Sequence, residues 1–76
     1  MKKYYEILKD LREDKEPKPN QKDIAKILET TQQYYSEYEN GKRPLPIEHL
    51  ITLCRFYNVS SDYILGLPEN MPFPKR

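Results

Sequence analysis

At 76 residues, with 13 Lys and Arg against 12 Asp and Glu and a net charge of +1, the chain has room for one small domain. Such a domain buries roughly 60–65% of the surface its unfolded chain exposes. Only 37% of the residues are hydrophobic, seven tyrosines among them, so the core must seat aromatic bodies whose hydroxyls find a partner or stay wet. No apolar run is long enough to span a membrane, and no secretory signal follows the basic start, while the single cysteine, Cys54, excludes an internal disulfide and fits a reducing, cytoplasmic compartment.

The first helix is expected from about Lys3 to Glu13, where Tyr4, Leu8 and Leu11 fall at i, i+4 and i+7 and form one apolar stripe. Pro17 and Pro19 then force a polar loop. Asn20 can cap a second helix, Gln21 to Leu28, that buries Ile24, Ala25 and Leu28. Thr30 or Thr31 caps a third, which buries Tyr35 and Tyr38 and ends at Asn40-Gly41, two residues that tolerate left-handed backbone. The fourth runs from about Pro46 to Tyr57, with Ile47, Leu50, Ile51, Cys54 and Tyr57 on one face and Asn58 closing it. Ser60 caps a short fifth helix, Ser61 to Leu65, which Gly66 and Pro68 stop. No strand pattern or repeat appears. The fold class is therefore all-α with five helices: residues 1–67 form the domain and residues 68–76 a proline-rich C-terminal tail, extended or disordered.

The stretch NQKDIAKILETTQQYYSEYENGKR, Asn20 to Arg43, is two short helices joined by a tight turn, and the second opens on paired glutamines. A helix that presents amides at its N-terminal end can reach base edges in the major groove of double-stranded DNA. A glutamine amide pairs two-pronged with adenine N7 and N6, worth roughly 1–3 kcal/mol of discrimination per base. Gln32 and Gln33 are the first candidates for base contact, against the plain reading that surface glutamines favour helix and solubility.

Gln21-x-x-Ile24-Ala25-x-x-Leu28 followed by Ser36-x-Tyr38-Glu39-Asn40-Gly41-Lys42-Arg43 resembles the phage repressor and Cro-type helix-turn-helix family, also called the xenobiotic-response-element family. The likeness continues through Tyr57-Asn58-Val59-Ser60 to Asp62-Tyr63-Ile64-Leu65-Gly66, and Thr31-Gln32-Gln33 looks especially like one lambdoid subgroup. It implies a lambda-repressor-like domain whose helices two and three form the helix-turn-helix, with Ala25 small where they cross.

The resemblance also implies roles. Gln32, Gln33 and Glu37 would face the bases, with the Thr31 methyl either touching a thymine methyl or merely accompanying a cap. A carboxylate at Glu37 repels phosphate yet accepts from cytosine N4, so direct readout and selection against wrong sites both stand. Tyr34 would reach phosphate or sugar, or cover the helix surface. Gln21, Asn40, Lys42 and Arg43 would hold the backbone; Lys42 and Arg43 also compensate the helix C-terminus. Arg12 and Glu39 match a pair that joins helix one to the end of helix three. Glu29 stands where the family usually has glycine, at a cost of about 1 kcal/mol if left-handed. Thr30 replaces a usual aliphatic plug, and the Arg12-to-Gln21 separation is longer than usual.

No enzyme is expected. His49 is the single histidine and is placed at the surface; Cys54 reads as core; neither metal-ligand spacing nor a phosphate loop appears, and no cofactor or metal is implied. The function expected is a sequence-specific, cytoplasmic DNA-binding transcriptional regulator, a repressor of phage or mobile-element type. The modest net charge forecasts weak non-specific binding. Its operator would be near-palindromic, bound by a weak homodimer that pairs through helix five around Ile64 and Leu67 with the tail. The alternative is an antitoxin or protein-interaction module of the same fold, in which the apolar Met71-Pro72-Phe73-Pro74 tail docks a partner protein.

Overall fold

A computed structural model describes residues 2–67, five α-helices with no strand among those residues: α1 Tyr4–Asp14, α2 Gln21–Ile27, α3 Gln32–Glu39, α4 Ile47–Tyr57 and α5 Ser61–Leu65. The tail from residue 68, expected to be extended or disordered and to serve pairing or a protein partner, lies outside the described residues.

Local chemistry sets the helix ends. The Asn20 side chain accepts from the Asp23 backbone N–H at 2.8 Å, and Asp23 returns the favour to the Asn20 N–H at 3.1 Å, so two free donors at the start of α2 are satisfied reciprocally. Thr31, not Thr30, caps α3 by accepting from the Tyr34 N–H at 3.1 Å. Ser60 caps α5 through the Tyr63 N–H at 3.1 Å.

Both ends of the helix-turn-helix use one closing device. After α2, Thr30 N–H donates to Ala25 O at 2.9 Å and Glu29 N–H to Lys26 O at 3.1 Å. After α3, Lys42 N–H donates to Glu37 O at 2.9 Å and Gly41 N–H to Tyr38 O at 3.2 Å. Each needs a left-handed residue, and Glu29 (φ 57°) and Gly41 (φ 73°) supply it. At Gly41 a side chain is also barred by space, since a Cβ would sit 2.8 Å from the Tyr5 ring. Glu29 points into solvent and so bears only the conformational cost.

The core gathers Leu8 from α1, Ile24, Ala25 and Leu28 from α2 and its cap, Tyr35 and Tyr38 from α3, Leu53 from α4 and Ile64 from α5. α2 packs against α3, and α1 lies across both α3 and α5. Ala25 is almost wholly buried, as a small residue at the α2–α3 crossing must be.

Three expectations need correction. The inward face of α4 centres on Leu53, fully buried; Leu50, Cys54 and Tyr57 flank it, but Ile47 is 70% and Ile51 46% exposed. α4 is apolar around most of its circumference, so periodicity fits several stripe centres and only packing against the other helices selects one. Ile64, expected on a pairing surface, is fully buried; the exposed apolar side chains of that region are Tyr63, Leu65 and Leu67. His49, expected at the surface, is half-buried, sharing a 3.0 Å hydrogen bond between its Nδ1 and the Tyr38 hydroxyl.

Candidate nucleic-acid interface

α3 has two faces, and each carries a glutamate. The inward one begins with Tyr35 and Tyr38 and ends on Glu39, buried among polar partners. Arg12 approaches two-pronged from α1, Nε to Glu39 Oε2 at 2.8 Å and Nη2 to Oε1 at 3.1 Å. The Tyr35 hydroxyl donates to Oε2 at 2.6 Å, and the Gln21 amide donates to Oε1 at 3.1 Å. Burial pushes the Glu39 carboxyl up, but hydrogen bonds from Arg12, Tyr35 and Gln21 outweigh it and hold the group below the usual carboxylate range. One buried anion thus ties α1, α2 and α3 together and fixes the orientation of α3.

The outward face lines a cleft formed by Gln21, Gln32, Gln33, Ser36, Glu37, Asn40 and Lys42. Six residues expected in DNA contact are gathered there. Gln32 and Gln33 are exposed in the first turn of α3; Glu37 stands one turn beyond Gln33, and Ser36 one turn beyond Gln32. Ser36 was missed from sequence, though the same four-residue period that relates Gln33 to Glu37 would have found it. Asn40 closes α3, and Lys42, exposed, follows in the turn. Gln21 spends one amide hydrogen on Glu39 and keeps the other.

The remaining three stand apart from the cleft wall. The Thr31 hydroxyl is occupied by capping. Tyr34 flanks the cleft, its ring edge-on to Tyr38 with centroids 5.6 Å apart. Arg43 folds back over Tyr34, the guanidinium carbon 4.1 Å from the ring centroid, while its Nε donates to Glu37 Oε1 at 2.7 Å. Its Nη1 lies 3.4 Å from the Tyr34 hydroxyl.

Elsewhere the described residues offer little chemistry. Burial pushes the Cys54 thiol up, away from the reactive thiolate. Among those residues no group of three or more His, Cys, Asp or Glu side chains is placed to hold a metal ion, and no helix is long and apolar enough to cross a membrane.

Comparison with known proteins bears on the same elements. A helix-turn-helix family model matches residues 8–64, from the middle of α1 to α5. Over 72 residues the chain is 36% identical to the uncharacterized HTH-type transcriptional regulator YobD of Bacillus subtilis (strain 168), covering 95% of this chain and 62% of that protein. The chain thus spans less than two thirds of that relative's length. No solved structure matches the chain significantly. With the matched region spanning α2, its turn and α3 in the geometry described, the chain belongs to the helix-turn-helix family of Cro and C1 repressor type.

Proposed function

We propose that the chain is a sequence-specific DNA-binding transcriptional regulator, a repressor, which lays the outer face of α3 in the major groove of double-stranded DNA. The observation that carries this reading is the placement of exposed Gln32 and Gln33 and half-buried Glu37 along one side of α3, lining one cleft, on a helix locked from behind by Glu39. The HTH-type transcriptional regulator it resembles supports the regulator part of this reading, and membership of the family sets the enzyme reading aside.

In this reading Gln32 and Gln33 pair with adenine edges and Glu37 meets a base one turn deeper. The Thr31 methyl lies beside them. Lys42, Asn40 and the free amide hydrogen of Gln21 hold phosphates on the rim and set the register. Two copies bind a near-palindrome, their recognition helices roughly 34 Å apart. Apolar side chains left exposed on α4, on α5 and just beyond it, Ile47, Ile51, Leu65 and Leu67, supply a small pairing surface in place of the buried Ile64. The dimer is weak and strengthens on DNA; sedimentation showing a single protomer per operator at saturation would overturn this part.

The test begins by selecting bound oligonucleotides from a random pool. Gln32→Ala then loses discrimination at one base pair, by about 1–3 kcal/mol. Lys42→Ala weakens every site and lowers the salt slope by about one. A pool that enriches nothing, or two variants that weaken random and selected DNA alike, sinks the assignment.

A further inference from the structure

We propose that Arg43 serves as a positioning residue for Glu37, and that the pair makes Glu37 a specificity-determining side chain that selects cytosine at the base pair one turn beyond the Gln33 contact. The proposal rests on the major-groove reading above and changes the expected role of Arg43 from a phosphate clamp to a support.

The geometry starts with the backbone. The turn closed by Lys42 N–H on Glu37 O, with Gly41 left-handed, brings the chain back along α3, so residue 43 is delivered beside residues 34 and 37. There the guanidinium is fixed on three counts: Nε on Glu37 Oε1 at 2.7 Å, the cation over the Tyr34 ring at 4.1 Å, and Nη1 3.4 Å from the Tyr34 hydroxyl. Tyr34 in turn rests edge-on against Tyr38, which His49 holds from α4. A stacked, ion-paired arginine is poorly placed to follow a phosphate, because reaching one would forfeit both contacts. Lys42, exposed and with no side-chain hydrogen bond among the described residues, has no such restraint.

The carboxylate gains a definite orientation. Arg43 occupies Oε1; Oε2 has no hydrogen-bond partner among the described residues, and Glu37 lines the cleft beside Gln33. An ionised carboxylate can only accept hydrogen bonds. It therefore suits the N4 amino group of cytosine, is repelled by guanine O6 and thymine O4, and meets at adenine an N6 donor flanked by the repelling N7 acceptor. A bare anion at this point would oppose the phosphates of every sequence. With Arg43 beside it, the pair is neutral at a distance and an acceptor at contact, and so discriminates between bases without weakening all binding.

The experiment compares sequences selected from one random pool by the full chain and by Glu37→Gln, Arg43→Gln, Arg43→Lys and the double Glu37→Gln/Arg43→Gln variant, with the salt slope measured for each. Glu37→Gln and Arg43→Gln are expected to lose a cytosine preference of about tenfold at one and the same position. The double variant should lose no more than either single one, as expected of groups acting as a unit. Arg43→Lys should keep the charge but lose the preference, since an ammonium lacks the planar fork that stacks and pairs. The base pairs read by Gln32 and Gln33 should remain selected throughout, which also shows that the variants are folded. If Arg43→Gln lowers the salt slope by about one and leaves every base preference intact, Arg43 is a phosphate clamp and the proposal is wrong. If Glu37→Gln changes no preference while Gln32→Ala still loses its base pair, the selector fails and the major-groove reading survives. If the unaltered chain enriches no sequence, both fall together.

Discussion

Two arginine–glutamate pairs hang on the last turns of α3, and they differ in almost everything except chemistry. Glu37 and Glu39 are two positions apart, so they project about 200° from one another around the helix. In the Arg12–Glu39 pair the side chains are 10% and 2% exposed; in the Arg43–Glu37 pair they are 42% and 30%. The first has a bidentate fork, a tyrosine hydroxyl and a glutamine amide on one carboxylate, so the desolvated charges are fully engaged. The second keeps one carboxylate oxygen free and rests on a half-exposed ring. Burial turns one pair into a structural post. The other, open to solvent and screened, contributes little to folding; in the proposed reading its value lies in what it presents outward.

The sharpest way to break this comparison is to remove one partner from the buried pair. Arg12→Ala strands Glu39 in the interior with only Tyr35 and Gln21 to answer it, and should cost about 3–5 kcal/mol in denaturant unfolding. A chain of this length is stabilised by only about 4–11 kcal/mol in all, so the variant is expected to be partly unfolded at 37 °C. A loss below about 1 kcal/mol would mean that Arg12 and Glu39 behave as a surface pair. Tyr35→Phe comes next. It deletes the hydrogen bond to Glu39 while leaving the ring in place, and a bond to a charged acceptor is worth about 1.5–3 kcal/mol.

The same site sets the acid response. The Glu39 carboxyl is held below its ordinary value, so the unfolded chain binds the proton more readily than the folded one. The stabilisation is complete above the ordinary value of 4.5 and is lost as pH falls through the lower folded value. One proton is involved, so the slope cannot exceed about 1.4 kcal/mol per pH unit. Measured across this range, Glu39→Gln should show a flatter acid limb than the unaltered chain; an unchanged limb would remove Glu39 as its source.

Much of this was readable from the residues, and the boundary between what was and was not is physical. Caps and stops are local: Asn20, Ser60, Asn58 and Gly66 act within a few residues of themselves and stand where the pattern put them. The left-handed backbone of Glu29 was suggested only by the glycine that the resembled family usually carries there. Arg12–Glu39 was legible only through the family resemblance, because nothing local links residues 27 positions apart. The failures are long-range choices. Leu53 displaced Ile47 and Ile51 from the interior because α4 offers several apolar stripes. α5, five residues long, is too short for any period to say that Ile64 points inward. Arg43 lies beyond the helix end, where no period fixes a direction, so its return onto Tyr34 and Glu37 had no signal in spacing. That Gln32, Gln33 and Glu37 share one side of α3 follows from the helical period alone, whatever they contact.

The smallest expected effect is the most telling for the comparison. Glu37→Gln removes the charge from the exposed pair but keeps the side chain's size and its capacity to accept from Arg43. Both groups remain in contact with solvent, so neither is stranded, and denaturant unfolding should change by no more than about 1 kcal/mol. Coulomb screening adds a second expectation: whatever small difference exists at low salt should fade as ionic strength rises, because exposed charges are shielded within about a Debye length. The buried pair should show far less of that salt dependence. If Glu37→Gln instead cost as much as Tyr35→Phe, and did so independently of salt, the outer pair would be holding α3 in place too. The division of the helix into a face that anchors and a face that reads would then have to be abandoned.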